Sequence, residues 1–218
     1  MVAAGGRHLG AVVARGDVDP HPRAGRDRGL ALRDLVFGDT VGVPIGDAGG
    51  LGDDSDHLRR EPGKIVANLR AAGYQPEQVD EIYITHMHAD HVGGLAADGK
   101  AVFQNAIVRA DQREADYWLS PKNLEAAPAD AKSFFEGAMV SMRLYVDTGR
   151  FRPFDGDTDL VPGVRALAAR GHTPGHAIFF VESRGQKLVL RGDLMHVAAV
   201  QFPEPSVTIQ FDTDSKAA

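Results

Sequence analysis

The stretch His86-Met87-His88-Ala89-Asp90-His91-Val92-Gly93-Gly94 decides how the rest of this chain is read. Within it, His86 to His91 offer three imidazoles and a carboxylate, the ligand types that a borderline divalent metal such as zinc takes. The spacing argues against a helix. Positions i and i+2 of a helix point to nearly opposite sides, and a helical ligand pair stands at i and i+4. His86 and His88 therefore belong on extended or looped backbone. Immediately before them, Ile82-Tyr83-Ile84-Thr85 is a β-branched and aromatic run, which predicts a strand over 81–85. The ligands then sit on the loop leaving the C-terminal end of that strand, where open α/β sheets place their sites. The plainer alternative, exposed histidines on a turn, needs four ligand-type residues to gather after a strand by chance.

The chain on either side of this loop is regularly patterned. Upstream, Pro62 and Gly73 bracket 64–72, where Ile65, Val66, Leu69 and Ala72 form one apolar stripe, so a helix with a start signal and a glycine stop is expected. Downstream, 92–97 is expected to begin a helix whose N-terminal end holds Asp90 and His91. A strand follows at 106–109, then a helix at 112–119 with Asp111 as its N-cap. Alanine-rich 126–142 suggests a further helix with Pro128 near its first turn and Phe134, Phe135, Met139 and Met142 on its apolar side. Core packing is the simplest role for these side chains and for Trp118; a pocket wall beside the metal loop is the other.

A second histidine loop, Gly171-His172-Thr173-Pro174-Gly175-His176, lies between apolar segments 160–169 and 177–182. Ser183-Arg184-Gly185-Gln186 then turns the chain into 187–191, giving an antiparallel hairpin that ends at Gly192-Asp193. Apolar Val197-Ala198-Ala199-Val200 comes next, and no internal repeat occurs.

Composition narrows the chemistry. A chain of 218 residues with 43% hydrophobic content can bury one substantial core. A formal charge of −6 leaves no basic footprint for nucleic acid. No apolar run is long enough to span a membrane. With no cysteine, thiolate ligands and disulfides are excluded, so any metal must be held by histidine and carboxylate. Gly5, Gly6, Arg7 and His8 interrupt the apolar segment that a signal peptide would need; the chain as written carries no recognisable export signal and reads as cytoplasmic.

Residues 1–62 differ from the rest. They contain no lysine, asparagine, glutamine, tyrosine or tryptophan, Phe37 is their one aromatic of the Phe/Tyr/Trp class, and no packed strand stands out. Three readings compete: a flexible polar extension, an irregular first layer with a short helix at 30–36 and a strand at 41–45, or the product of an upstream frameshift. The expected organisation is thus an atypical segment over 1–62 and a regularly patterned domain over 63–218.

The pattern H-x-H-x-D-H at 86–91 resembles the signature loop of the metallo-β-lactamase superfamily, which implies an α/β fold of the αββα sandwich type. With His172 and Asp193 added, the spacing is similar to the dinuclear members. That resemblance implies that His86, His88 and His172 bind one divalent ion, that Asp90 and His91 bind a second, and that Asp193 bridges both, with zinc as the metal. His172 matches the first histidine of the family's G-H-T-P-G-H loop, leaving His176 a structural part. Within the superfamily, 73–88, 108–118, 192–201 and 205–210 resemble the methyl parathion hydrolase family. This implies a metal-bridged hydroxide attacking phosphotriesters such as organophosphate pesticides, catalytic parts for Asp90 and Asp193, a pocket lined by Trp118, Phe134 and His196, and a homodimer. Two departures accompany it. The N-terminal strands and D-T-G turn of the family are not evident in 1–62, Asp147-Thr148-Gly149 being an ordinary turn, and the family's last histidine ligand to the second metal has no counterpart except His196. The fold is accordingly expected to be incomplete at both ends, with a weak second metal site and reduced or no activity. A lactonase or other carboxylic ester hydrolase is the nearest alternative, and a metal-binding remnant the next.

Overall fold

The structure is a computed structural model and describes residues 10–14, 35–38, 65–71, 73–183 and 185–218. Its first sheet joins β1 (Gly10–Ala14), β2 (Leu35–Gly38), β3 (Val79–Tyr83) and β6 (Ile107–Arg109) in the order β2-β1-β3-β6. β3 and β6 are parallel, with Ile82 opposite Val108, and β1 lies antiparallel to β3. A second, wholly antiparallel sheet has the order β10-β9-β8-β7, built from β7 (Thr158–Val161), β8 (Val164–Ala168), β9 (Ala177–Ser183) and β10 (Gln186–Leu190).

Alternation along β3 shows how the layers stack. Successive strand side chains point to opposite faces. Ile82 enters a core shared with α1 (Ile65–Ala71), α3 (Gln112–Trp118) and α5 (Lys132–Asp147), while its neighbour Tyr83 enters a second core with Phe179, Val181 and Leu190. The first sheet is therefore covered by helices on one face and by the second sheet on the other. Each fully buried Leu, Ile or Phe in these cores contributes roughly 2 kcal/mol. On β9 the same alternation buries Ala177, Phe179 and Val181 and leaves Phe180 exposed beside its cross-strand partner Val189.

Several expectations hold with small shifts at the ends. The helix expected at 64–72 is α1, whose Ile65 and Leu69 are buried one turn apart, and Ala72 lies outside the described residues. Asp111 caps α3, its carboxylate accepting from Arg113 N at 2.8 Å. The hairpin between β9 and β10 forms as expected.

Others are corrected. The helix expected over 92–97 is instead α2 (Ala89–Val92), a 3-10 turn at Gly93–Leu95 and a two-residue strand, β4 (Ala96–Ala97), paired with β5 (Lys100–Ala101). The Gly93-Gly94 pair carries the entropic penalty of glycine in a helix, and the tighter turn still buries Val92 and Leu95 together. The helix expected over 126–142 is two: α4 (Pro121–Ala126) ends because Ala127 precedes Pro128 and is held extended, and α5 starts at Lys132. Segment 160–169 folds back on itself at Pro162-Gly163, where Gly163 adopts φ +88° and Val161 faces Val164. In 1–62, where no packed strand stood out, β1 and β2 pair with each other and β1 with β3; Leu35 and Val36, which one reading put in a short helix at 30–36, lie in β2. The strand expected at 41–45 falls outside the described residues.

Candidate metal centre

The first ligand loop continues the line of β3. Ile84 N still bonds to Arg109 O of β6 at 2.8 Å, the chain bends at Thr85, and His88, with extended backbone, is the N-cap residue of α2. In extended chain the side chains alternate, so Met87 enters the helix-side core, whereas His86 and His88 both face the centre. α2 then turns at once and presents His91, which is buried, and Asp90, which is 38% exposed at its side chain.

The second loop is brought alongside by a single backbone bond, Ala177 N to Thr85 O at 2.9 Å, which fastens the start of β9 to the end of β3. Ala169 N to His176 O at 2.8 Å closes that loop. Asp193 arrives on a 3-10 turn after β10, Gly192–Leu194. Gly192 has φ +52°, and a Cβ there would meet His176 Nε2 and Thr85 at 2.8 Å, so the tight approach that delivers Asp193 requires glycine.

Three groups of ligand atoms result: His86, His88 and His172; His86, His91 and Asp193; His172, Asp193 and His196, the atoms of each lying within 4.8 Å of one another. Asp193 stands in the middle. Its Oδ1 is 3.4 Å from His91 Nε2, while its Oδ2 is 3.5 Å from His172 Nε2, 3.9 Å from His86 Nε2 and 3.0 Å from His196 Nε2. His88 Nδ1 and His172 Nε2 are 3.1 Å apart, and Asp90 Oδ2 lies 3.5 Å from His91 Nε2. The first histidine triad and the carboxylate between two histidine groups are thus brought together as expected; Asp90 stands at the more exposed side.

These groups suit a cation. His86 Nε2 is buried with no hydrogen-bond partner among the described residues, a cost that a metal bond would remove. Burial, reinforced by neighbouring histidines, pushes the His86 and His88 imidazoles well below the usual histidine range. Burial also lowers His172. They are therefore neutral at physiological pH, each with a lone pair to donate.

Around them stand residues whose roles the sequence did not show. Asp212 Oδ1 is 2.9 Å from His172 Nδ1, fixing the ring so that Nε2 faces the centre. Thr85 Oγ1 is 3.1 Å from His86 Nδ1 and does the same there. His176 donates from Nδ1 to Ala169 O at 3.0 Å, so its Nε2 accepts from Asp193 N at 3.0 Å; burial holds it down to about 3. It supports the carboxylate's backbone, the structural part expected of it. Glu114 of α3, fully buried, accepts from Met87 N at 2.9 Å and from Gly175 N at 2.8 Å. No local pattern flags Asp212 or Glu114, because each finds its partner some tens of residues away.

A cleft of about 240 Å³ opens beside Asp193, His172 and His196, with Met195, Val207 and Asp212 in its wall. His196 lines this cleft, whereas Trp118 and Phe134, expected beside it, do not. Trp118 and Phe134 pack on His88, their rings 5.1 and 5.4 Å from its centroid, and Phe134 also meets Phe211.

No helix among the described residues is long and apolar enough to cross a membrane. A family model described as the metallo-beta-lactamase superfamily matches residues 45–215. An N-acyl homoserine lactonase of Bacillus cereus is 30% identical over 130 residues, 60% of this chain and 44% of that protein, so the chain spans less than half the length of this curated relative. Among solved structures, hydrolase AbOPH of the beta lactamase superfamily is 33% identical with a TM-score of 0.67, covering 84% of this chain and 60% of that one. AidC, a dizinc quorum-quenching lactonase, is 26% identical with a TM-score of 0.64 over the same shares. The histidine loops follow the strand ends of a fold that these proteins share, and the match runs through most of the sequence: the chain belongs to the metallo-β-lactamase superfamily.

Proposed function

We propose that this chain carries the centre of a metal-dependent ester hydrolase that takes two divalent ions, zinc by preference, and acts on phosphotriesters. The observation that supports it most is Asp193, whose two oxygens face different histidine groups, as a bridging carboxylate must. In this reading His86, His88 and His172 hold one ion, and Asp90 and His91 hold the other. Such a pair of ions supplies a water of lowered pKa and a Lewis acid for the substrate oxygen. The protein's share is placement: Asp193 offsets the repulsion between the two cations, Asp212 and Thr85 aim the histidine rings, and His196 borders the cleft where an ester would lie. An aryloxide leaving group needs little proton donation, so no further general acid is required.

Support for a phosphotriester comes from the stretches 73–88, 108–118, 192–201 and 205–210, which resemble the methyl parathion hydrolase family. A lactone is the second reading, favoured by the Bacillus cereus relative and by AidC, because the same Lewis acid serves a carbonyl centre. Turnover of an aryl phosphotriester and of an acyl-homoserine lactone by the zinc-loaded chain separates them. A higher kcat/KM on the phosphotriester, abolished by His88→Ala, is the expected result. Preference for the lactone establishes the second reading, and zinc binding without turnover of either marks a metal-binding remnant.

A further inference from the structure

Glu114 is a buried acid that spans the two histidine loops, and the chemistry proposed above makes no use of it. Its carboxylate lies at 0% exposure, although burying a carboxylate is costly unless its oxygens are satisfied. Here each oxygen has a backbone donor: Oε2 takes Met87 N at 2.9 Å and Oε1 takes Gly175 N at 2.8 Å. Met87 stands between His86 and His88, and Gly175 follows His172 by three positions in the second loop. The two hydrogen bonds therefore join the backbone of one ligand loop to that of the other.

The contact is close on all sides. A Cβ at Gly175 would meet Glu114 N at 2.5 Å and Glu114 Cγ at 3.0 Å, so the second loop lies directly on the first turn of α3. α3 is itself fixed by the Asp111 cap and by Gln112 N bonding to Phe154 O at 2.7 Å. The support is thus fixed, and Glu114 reaches both loops through their backbone N–H groups.

We propose that Glu114 is a positioning residue that clamps the two histidine loops together and so sets the separation of His86 and His88 from His172, and with it the affinity and geometry of the three-histidine metal site. The inference rests on the reading of that triad as a metal site. The carboxyl group presents two acceptor oxygens, one to each backbone donor. A carboxamide keeps one acceptor and turns an NH₂ group toward the other N–H, which releases one loop.

The test uses the full chain and Zn²⁺ alone, in competition with a chromogenic chelator, with the visible spectrum of the Co²⁺-substituted protein as a second readout. Glu114→Gln is expected to weaken the tighter zinc site about tenfold or more, in the range typical of residues that orient ligands, and to shift the Co²⁺ bands. Met142→Ala, a truncation in the same core that removes no hydrogen bond to either loop among the described residues, should lower thermal stability while leaving zinc affinity and the Co²⁺ spectrum as in the parent. If the glutamine variant does not fold, Glu114→Asp decides, since its oxygens fall one methylene short of spanning both loops: weakening of threefold or more supports the clamp, and less overturns it. A glutamine variant with parental affinity and spectrum overturns it, as does a Met142→Ala variant that loses zinc equally. A parent chain that binds no zinc overturns the metal reading itself, a result distinct from all of these.

Discussion

Asp212 illustrates how much of a metal site lies outside its ligands. Its carboxylate meets His172 Nδ1 at 2.9 Å and also accepts from Ile209 N at 2.9 Å, so it is itself held in place. A charged partner on the far ring nitrogen raises the basicity of the ligating nitrogen, and losing such a partner typically costs about 10–100-fold in metal affinity or activity. Asp212→Asn keeps an acceptor but removes the charge, and is expected at the lower end, about tenfold. Metal content after dialysis against a weak chelator, compared with the parent, checks it, and unchanged retention would count against this role. The ligands themselves were legible because H-x-H-x-D-H compresses them into one loop. Asp212 and Glu114 were not, since an isolated acid carries no sign of which distant histidine or amide it will meet.

Among the elements, the turn that delivers Asp193 has little freedom. Gly192 sits in the left-handed region, where a side chain costs roughly 1–2 kcal/mol. The added methyl would also press on His176 Nε2 and Thr85, the groups that hold Asp193 N and aim His86. Gly192→Ala should therefore lower the melting temperature and, beyond that, weaken zinc binding about tenfold or more. A variant with normal zinc affinity at reduced stability would show that the turn's shape matters for folding alone. Local signals fixed the elements wherever one rule dominated, as at the Asp111 cap. They failed where two rules met. The alanine-rich run from 126 favours helix, but Pro128 forces Ala127 extended, and the proline prevailed.

At the scale of the whole molecule, the metal-free protein confines several neutral imidazoles in its interior. His86, His88, His172 and His176 all lie below the ordinary value, chiefly through burial. The unfolded chain takes up protons at these groups as pH falls below about 6.5 and the native chain does not, so stability is lost on acidification. Glu114 works in the opposite direction: burial lifts it to about 7, so its native form holds a proton through the window from about 7 to 4.5 and gains stability as pH falls. Four groups against one leave a net loss. The melting temperature of the metal-free chain is expected to be lower at pH 5.5 than at pH 7.5, and zinc at a thousandfold excess over its dissociation constant to add about 4 kcal/mol. Circular dichroism melts with and without a chelator measure both; a melting temperature indifferent to zinc would contradict the metal reading.

The sequence by itself determined the ligand types, their grouping in two loops at strand ends, and the superfamily, because short-range spacing fixes which side chains can converge from a single turn. Only the tertiary structure decided that Asp212 and Thr85 lie against the far ring nitrogens of His172 and His86, that Asp193 faces both groups, and that Glu114 ties one loop to the other. Those are relations between segments separated by tens of residues. They arise when β9 is fastened to the end of β3 and the strands of both sheets stack, and hydrophobic pattern sets that stacking without naming the polar partners it brings together.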